Sequence, residues 1–212
     1  MKTIGVVLAA GGSSRFGSTK QLADWNGQPL IVHAITQLEK AGCDSVVVIL
    51  GSSFDKIRDV IARADVQAVI VENPDWNQGQ SSSIRVACES FGSDLDADDS
   101  MLLTLCDQPR ISIDHYQRLI RERRSKCVLV AATSYMDGAG VPACFGVGAL
   151  SHLMQLRGDQ GAKHWIRSLS ASEVTLLENP AAFNDIDRPC DLHSVPTADE
   201  QVVSAIKPAH RH

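Results

Sequence analysis

Short apolar runs alternate with amphipathic stretches along most of the chain. "TIGVVLAA" (3–10), "SVVVIL" (45–50), "AVIVEN" (68–73), "SMLLTLCD" (100–107), "CVLVAAT" (127–133) and "EVTLLEN" (173–179) are rich in β-branched or continuous apolar residues. They predict strands buried on both faces. Between them, "PLIVHAITQLEKAG" (29–42) places Ile31, Ala34, Ile35 and Leu38 on one side of a helix and stops at Gly42. "DKIRDVIARA" (55–64), "SSSIRVACESFG" (81–92), "HLMQLR" (152–157) and "GAKHWIRSL" (161–169) also read as helical. "IDHYQRLIRERRS" (113–125) opens acidic and ends basic, the polarity a helix dipole favours. Asn26-Gly27, ahead of Pro29, predicts a tight turn. Strand and helix in alternation predict a three-layer α/β domain, a doubly wound and mostly parallel sheet covered on both sides.

The chain has 212 residues, enough for one well-buried domain. We expect a single domain over residues 1–195 and a patternless C-terminal tail over 196–212. The net charge of −5 does not suit a nucleic-acid partner, and the basic stretch "RLIRERRSK" (118–126) reads as a solvated helix face. No run reaches the ~18 apolar residues of a membrane span. The six cysteines, at 43, 88, 106, 127, 144 and 190, form no C-x-x-C pair and no disulfide framework, so reduced thiols and a cytoplasmic location are expected.

The chemistry starts at "VVLAAGGSSRFGSTKQL" (6–22). An apolar strand stops at two glycines, and Arg15, Gly17 and Lys20 follow. In open α/β sheets ligands sit beyond the carboxyl ends of the strands, where this loop falls. Glycines let backbone N–H groups approach an anion, and Arg15 and Lys20 suit a polyphosphate. Two familiar phosphate loops do not fit. Gly12 and Gly17 have P-loop spacing, but Ser18 stands where that loop needs lysine. Gly11, Gly12 and Gly17 do not make G-x-G-x-x-G, which argues against a dinucleotide-dependent dehydrogenase.

Asp107 closes the fourth strand, close to where the first loop would hold phosphates; alone it would read as an aspartate opening a turn before Pro109. Asp185 and Asp187, in "FNDIDRPCDL" (183–192), follow the last strand, and Asp187 is expected to meet Asp107 across a cleft. Magnesium on a polyphosphate needs only one or two protein carboxylates. "NPDWNQGQSSSIR" (73–85) ends the third strand. Its serines read equally as helix caps or as ligand contacts, and Trp76 as a packing residue or a ring stacked on a base.

These motifs together resemble the molybdenum-cofactor nucleotidyltransferases. "LAAGGSSRFG" with Lys20 and Leu22, then "NPDWNQGQSSSIR", "LCDQP" (105–109), "GVPACF" (140–145), "LRGDQGAK" (156–163) and "NDIDRPCDL" (184–192) occur in that family's order. The resemblance covers residues 4 to about 192 and is nearest the cytidylyltransferase branch, because the guanylyl branch usually carries Gly where this chain has Ala10. It implies a Rossmann-like nucleotidyltransferase fold. It also implies that Leu8, Ala10, Gly11 and Gly12 line the nucleotide, with Ala10 near the base, and that Arg15 and Lys20 hold the triphosphate. Asn73, Gly79, Ser82 and Ser83 would belong to the nucleotide or acceptor pocket, and Asp107 and Asp187 would bind Mg²⁺. Gly158, Asp159 and Gly161 would face the acceptor. Where the family often reads G-H-P, this chain has Gly140, Val141 and Pro142, so any role of that histidine is absent or moved.

The implied reaction carries CMP from CTP to the phosphate of a molybdopterin-type cofactor and releases pyrophosphate, with Arg15, Lys20 and Asp107 as the catalytic groups. A molybdoenzyme or its maturation chaperone would be the downstream partner. Two alternatives stay open: transfer to a sugar or polyol phosphate, and a non-catalytic nucleotide- or cofactor-binding chaperone.

Overall fold

The computed structural model describes residues 1–91, 95–135, 138–179 and 185–192. The tail over 196–212 lies outside the described residues. Nine strands and six helices follow one another as β1 (Thr3–Leu8), β2 (Asp24–Trp25), β3 (Gln28–Pro29), α1 (Leu30–Lys40), β4 (Ser45–Leu50), α2 (Phe54–Arg63), β5 (Val69–Glu72), α3 (Gln80–Phe91), β6 (Ser100–Leu105), α4 (Ile113–Lys126), β7 (Val130–Tyr135), β8 (Gly138–Gly146), α5 (Leu150–Leu153), α6 (Ala162–Ile166) and β9 (Val174–Glu178) among the described residues. Seven strands form the main sheet in the order β5-β4-β1-β6-β8-β7-β9. Every pairing is parallel except those of β8 with β6 and β7.

The alternation of side chains across each strand builds two cores. Val7, Val46, Val48, Leu50 and Leu102 point to one face, where Ile31, Ile35 and Leu38 of α1, Ile57 and Ile61 of α2 and Leu119 of α4 cover them. Val6, Val47, Ile49, Met101 and Leu103 point to the other, under Ile84 and Phe91 of α3, Leu150 and Leu153 of α5 and Ile166 of α6. These strands are apolar on both faces because both faces are covered, which makes the expected three-layer fold. No helix among the described residues is long and apolar enough to cross a membrane. All six cysteines are free.

Three features depart from or refine the sequence reading. β8 is not apparent in the sequence because Gly138, Gly140 and Pro142 punctuate it; its register with β7 shifts, leaving Val141 and Pro142 without strand partners, and Thr133 Oγ1 donates to Pro142 O at 2.6 Å. The helical stretches expected over 152–157 and 161–169 shorten to α5 and α6, with turns between them. The Asn26-Gly27 turn is present, with φ of +53° and +84°, joining β2 to β3 as a two-residue hairpin.

Chain order reverses beside β1: the chain leaves for β4 and β5 on one side, then returns to β6 on the other. The crevice beyond the carboxyl ends of β1 and β6 is therefore the place where this architecture binds ligands.

Candidate active site

A cavity of about 450 Å³ occupies that crevice. Its floor is the loop after β1, which Gln21 holds in shape. The buried Gln21 amide donates to Ala9 O at 2.8 Å and Gly11 O at 2.9 Å, and its Oε1 accepts from Ser13 Oγ at 3.1 Å. Ala10 O accepts from Ser52 N at 3.0 Å, tying the same loop to the end of β4. Leu8, Ala10, Gly11 and Gly12 all line the cavity. Trp76 forms a side wall: its ring lies 3.2 Å from where a Cβ on Gly12 would stand, and its Cβ lies 2.5 Å from one on Gly51. Trp76 thus packs on two glycines while keeping 37 % of its surface exposed toward the cavity rim.

The charged residues converge. Lys20 Nζ lies 2.7 Å from Asp107 Oδ2 and 3.5 Å from Asp187 Oδ1, and Arg15 Nη1 lies 3.0 Å from Asp187 Oδ2. Burial works against the Lys20 ammonium, but Asp107, through charge and hydrogen bond, outweighs it and the pKa moves upward. Asp187 reaches the site because Ile186 is pinned. Ile186 is fully buried with Phe16, Trp25 and Leu30, and its N–H donates to Asp107 O at 2.8 Å. Asp191 fixes the segment's far end: its Oδ2 accepts from Asp187 N at 2.9 Å and Arg188 N at 2.7 Å. The two acids expected to meet do so, on one ammonium.

The remaining expected residues divide into lining and support. Gly79, Ser83 and Asp159 line the cavity. Asn73 and Ser82 stand behind it. Asn73 is fully buried, donating to Ser82 Oγ at 2.8 Å and Ser83 Oγ at 3.0 Å, while Ser82 donates to Gly79 O at 2.8 Å. These residues shape the wall by bonding to one another. Gly158 is a contact of the chain with itself: its carbonyl accepts from Ser81 N at 3.2 Å, and a Cβ on Gly79 would fall 2.5 Å from it.

Gly161 belongs to a second chamber of about 180 Å³, lined also by Gln108, Tyr135, Val141, Lys163 and Asp185. Gln108 Nε2 donates to Asp185 Oδ1 at 3.0 Å and to Tyr135 Oη at 3.3 Å, and Tyr135 Oη donates to Val141 O. Part of Asp185 faces solvent, but its carboxyl is pushed up to about 6, first by desolvation and then by the charge of Asp107. Sequence reasoning named Asp185 without giving it a role in the site, and did not single out Gln21, Gln80 or Gln108. All four lie inside or beside its motifs, and position within those motifs was the only signal available.

The chain matches the MobA-like NTP transferase domain over residues 5–174. It is 30 % identical over 171 residues to the nicotine blue oxidoreductase of Paenarthrobacter nicotinovorans, covering 77 % of this chain and 80 % of that one. It is 26 % identical over 197 residues to the purine catabolism protein PucB of Bacillus subtilis, covering 88 % and 92 %. Over 56 residues, 26 % of this chain and 29 % of the other, it is 50 % identical to a probable molybdenum cofactor guanylyltransferase of Pyrococcus horikoshii. Among solved structures, Rv0371c of Mycobacterium tuberculosis superposes with a TM-score of 0.73 at 26 % identity, covering 92 % of this chain and all of that one. The same protein's complex with manganese superposes with a TM-score of 0.70 at 25 % identity, with the same coverage. A domain pattern matched from β1 to the start of β9, with the glycine loop and Asp107 inside it, makes this chain a member of the MobA-like NTP transferase family.

Proposed function

We propose that this nucleotidyltransferase moves CMP from CTP to the phosphate of a molybdopterin-type cofactor, in the cytoplasm, with Mg²⁺ as its divalent ion. The observation that carries the reading is the meeting of Asp107 and Asp187 on Lys20 beside the glycine loop. Acids and cations that pair with one another across an open cavity can exchange those partners for a metal and a polyphosphate of opposite charges.

The residues suit a divalent ion. Asp107 Oδ1 is buried with no hydrogen-bond partner, a hard anionic oxygen of the kind Mg²⁺ takes. No set of three or more His, Cys, Asp or Glu side chains is gathered among the described residues. That suits an ion completed by water and phosphate oxygens. Asp107 and Asp187 would hold it, and when bound it supplies charge neutralisation to phosphate oxygens.

An oxygen of the acceptor's phosphate monoester forms the new bond to the α-phosphorus. The bond from that phosphorus to the bridging oxygen of the β-phosphate breaks, and pyrophosphate leaves with the electron pair. The monoester is already an anion near neutral pH, so no base has to remove a proton. Arg15 and Lys20 stabilise the departing charge, and the loop orients the triphosphate. Ala10 supports CTP over GTP, since its methyl takes up space at the cavity wall that glycine would leave open.

The test is incubation of the protein with CTP, GTP or ATP, Mg²⁺ and molybdenum cofactor, with product read by mass and pyrophosphate measured. The CMP adduct with stoichiometric pyrophosphate is expected. Transfer from GTP instead overturns the base assignment. Binding without pyrophosphate release overturns the enzyme in favour of a carrier.

A further inference from the structure

The two cavities share two lining residues, Gln80 and Leu105. Consecutive residues part company at their boundary. Asp107 lines the larger cavity and Gln108 the chamber; Asp187 lines the larger cavity and Asp185 the chamber, with buried Ile186 between them. The boundary therefore runs through the acids that face the triphosphate in the reading above, and an acceptor entering from the chamber meets the α-phosphorus there. Gln80, the first residue of α3, stands on this line. Among the described residues its side-chain amide has no hydrogen-bond partner. A Cβ at Gly161 would fall 2.2 Å from Gln80 Oε1, so the amide keeps its place only because residue 161 has no side chain.

We propose that Gln80 is a binding residue of the acceptor half of the site, its amide holding the acceptor phosphate at the boundary of the two cavities. The inference rests on the nucleotidyl-transfer reading. A neutral amide suits the position: its N–H groups orient a phosphate without neutralising the oxygen that must attack, as an ammonium would. The chamber behind it defines the acceptor's class. Its floor is apolar, from Ile84, Leu103 and Leu105, and Gln108 Oε1 is buried without a hydrogen-bond partner. A buried acceptor oxygen of that kind is satisfied by an N–H or O–H of the bound molecule. The acceptor is thus a phosphate monoester on a compact body that carries hydrogen-bond donors.

The experiment uses the full chain with CTP, Mg²⁺ and, in separate arms, molybdopterin-type cofactor, a sugar 1-phosphate and a polyol phosphate, following pyrophosphate release. Gln80→Leu keeps the volume and removes the amide. For whichever acceptor the wild type turns over, its KM is expected to rise about tenfold, the size of one lost hydrogen bond. CTP affinity, titrated without acceptor, and the melting temperature are expected to stay at wild-type values. Gly161→Ala displaces the same amide from the opposite wall and is expected to give the same split; where that variant does not fold, Gln80→Leu decides alone. An unchanged acceptor KM in Gln80→Leu, or a parallel loss of CTP affinity, overturns the inference and leaves the transfer reaction standing. A wild-type protein that releases no pyrophosphate in any arm overturns both.

Discussion

The two ends of the sheet use charged residues in opposite ways. Beyond the carboxyl ends of β1 and β6, Lys20, Asp107, Asp187 and Arg15 hold one another, side chain to side chain. At the other end the acids are held by backbone. Buried Asp99 accepts from Lys2 N at 2.5 Å and Asp96 N at 3.0 Å, and Asp44 accepts from Thr3 N at 2.7 Å. Those amide bonds hold the Asp99 carboxyl below the usual carboxylate range. Arg124 completes the arrangement, donating to Thr3 Oγ1 at 2.7 Å and Met1 O at 3.2 Å. A side-chain partner can be exchanged for a ligand while the fold stays intact. A backbone partner cannot be released without opening the strand end. The first arrangement suits binding and the second suits stability.

The sharpest test of this contrast is a pair of matched substitutions. Asp107→Ala is expected to lower turnover by about 10²- to 10³-fold, the scale of losing a principal charge-stabilising group. Its thermal midpoint should stay close to wild type, because Lys20 retains Asp187. Asp99→Ala is expected to do the reverse: a lowered denaturation midpoint and unchanged kcat. Pyrophosphate release and thermal melts on both variants measure this, and a folding defect in the first with an activity defect in the second would erase the distinction.

His115 extends the stability side of the contrast. It is buried, bonded to Thr133 Oγ1 at 2.9 Å, and desolvation holds its pKa down at about 4. A histidine kept neutral in the folded state contributes fully above its unfolded pKa of about 6.5. That contribution is lost as pH falls from there toward 4, a total of about 3 kcal/mol. Denaturant midpoints measured between these pH values should fall steeply for the wild type and much less for His115→Gln. Parallel curves would remove His115 as the cause.

The smallest effect is expected at Arg15. Its bridge to Asp187 joins two largely exposed side chains and contributes at most about 1 kcal/mol to stability. Arg15→Ala should therefore melt like wild type and turn over about tenfold more slowly, as the loss of one charge-assisted contact to the leaving group predicts. Wild-type kinetics in this variant would make Arg15 a surface charge only.

The outline of the fold was legible where burial on both faces forces continuous apolar strands, as in β1, β4 and β6; β5, read the same way, is instead a half-exposed edge strand. β8 was not, because glycine and proline are strand signals only in reverse, and its place in the sheet depends on an irregular register with β7. In the candidate site, Arg15 and Lys20 could be named from the sequence because cations next to a glycine turn are unusual, and Asp107 and Asp187 because each follows a strand within a motif of the resemblance. Gln21, Gln80 and Gln108 could not, because an amide in a polar loop is ordinary until coordinates reveal which carbonyl, phenol or cavity it meets. Asn73 and Ser82 mark the opposite limit. Polar residues in a motif read as ligand contacts, and here they spend their hydrogen bonds on each other and on Gly79.

Buried Ile186 seats Asp187 against Lys20, a residue 167 positions earlier in the chain. Asp107 follows Lys20 by 87 positions and Asp187 by 167, so during synthesis the glycine loop emerges first and its two acid partners follow one after the other. A growing polypeptide therefore carries Lys20 without its second acid until this one isoleucine docks with Phe16, Trp25 and Leu30.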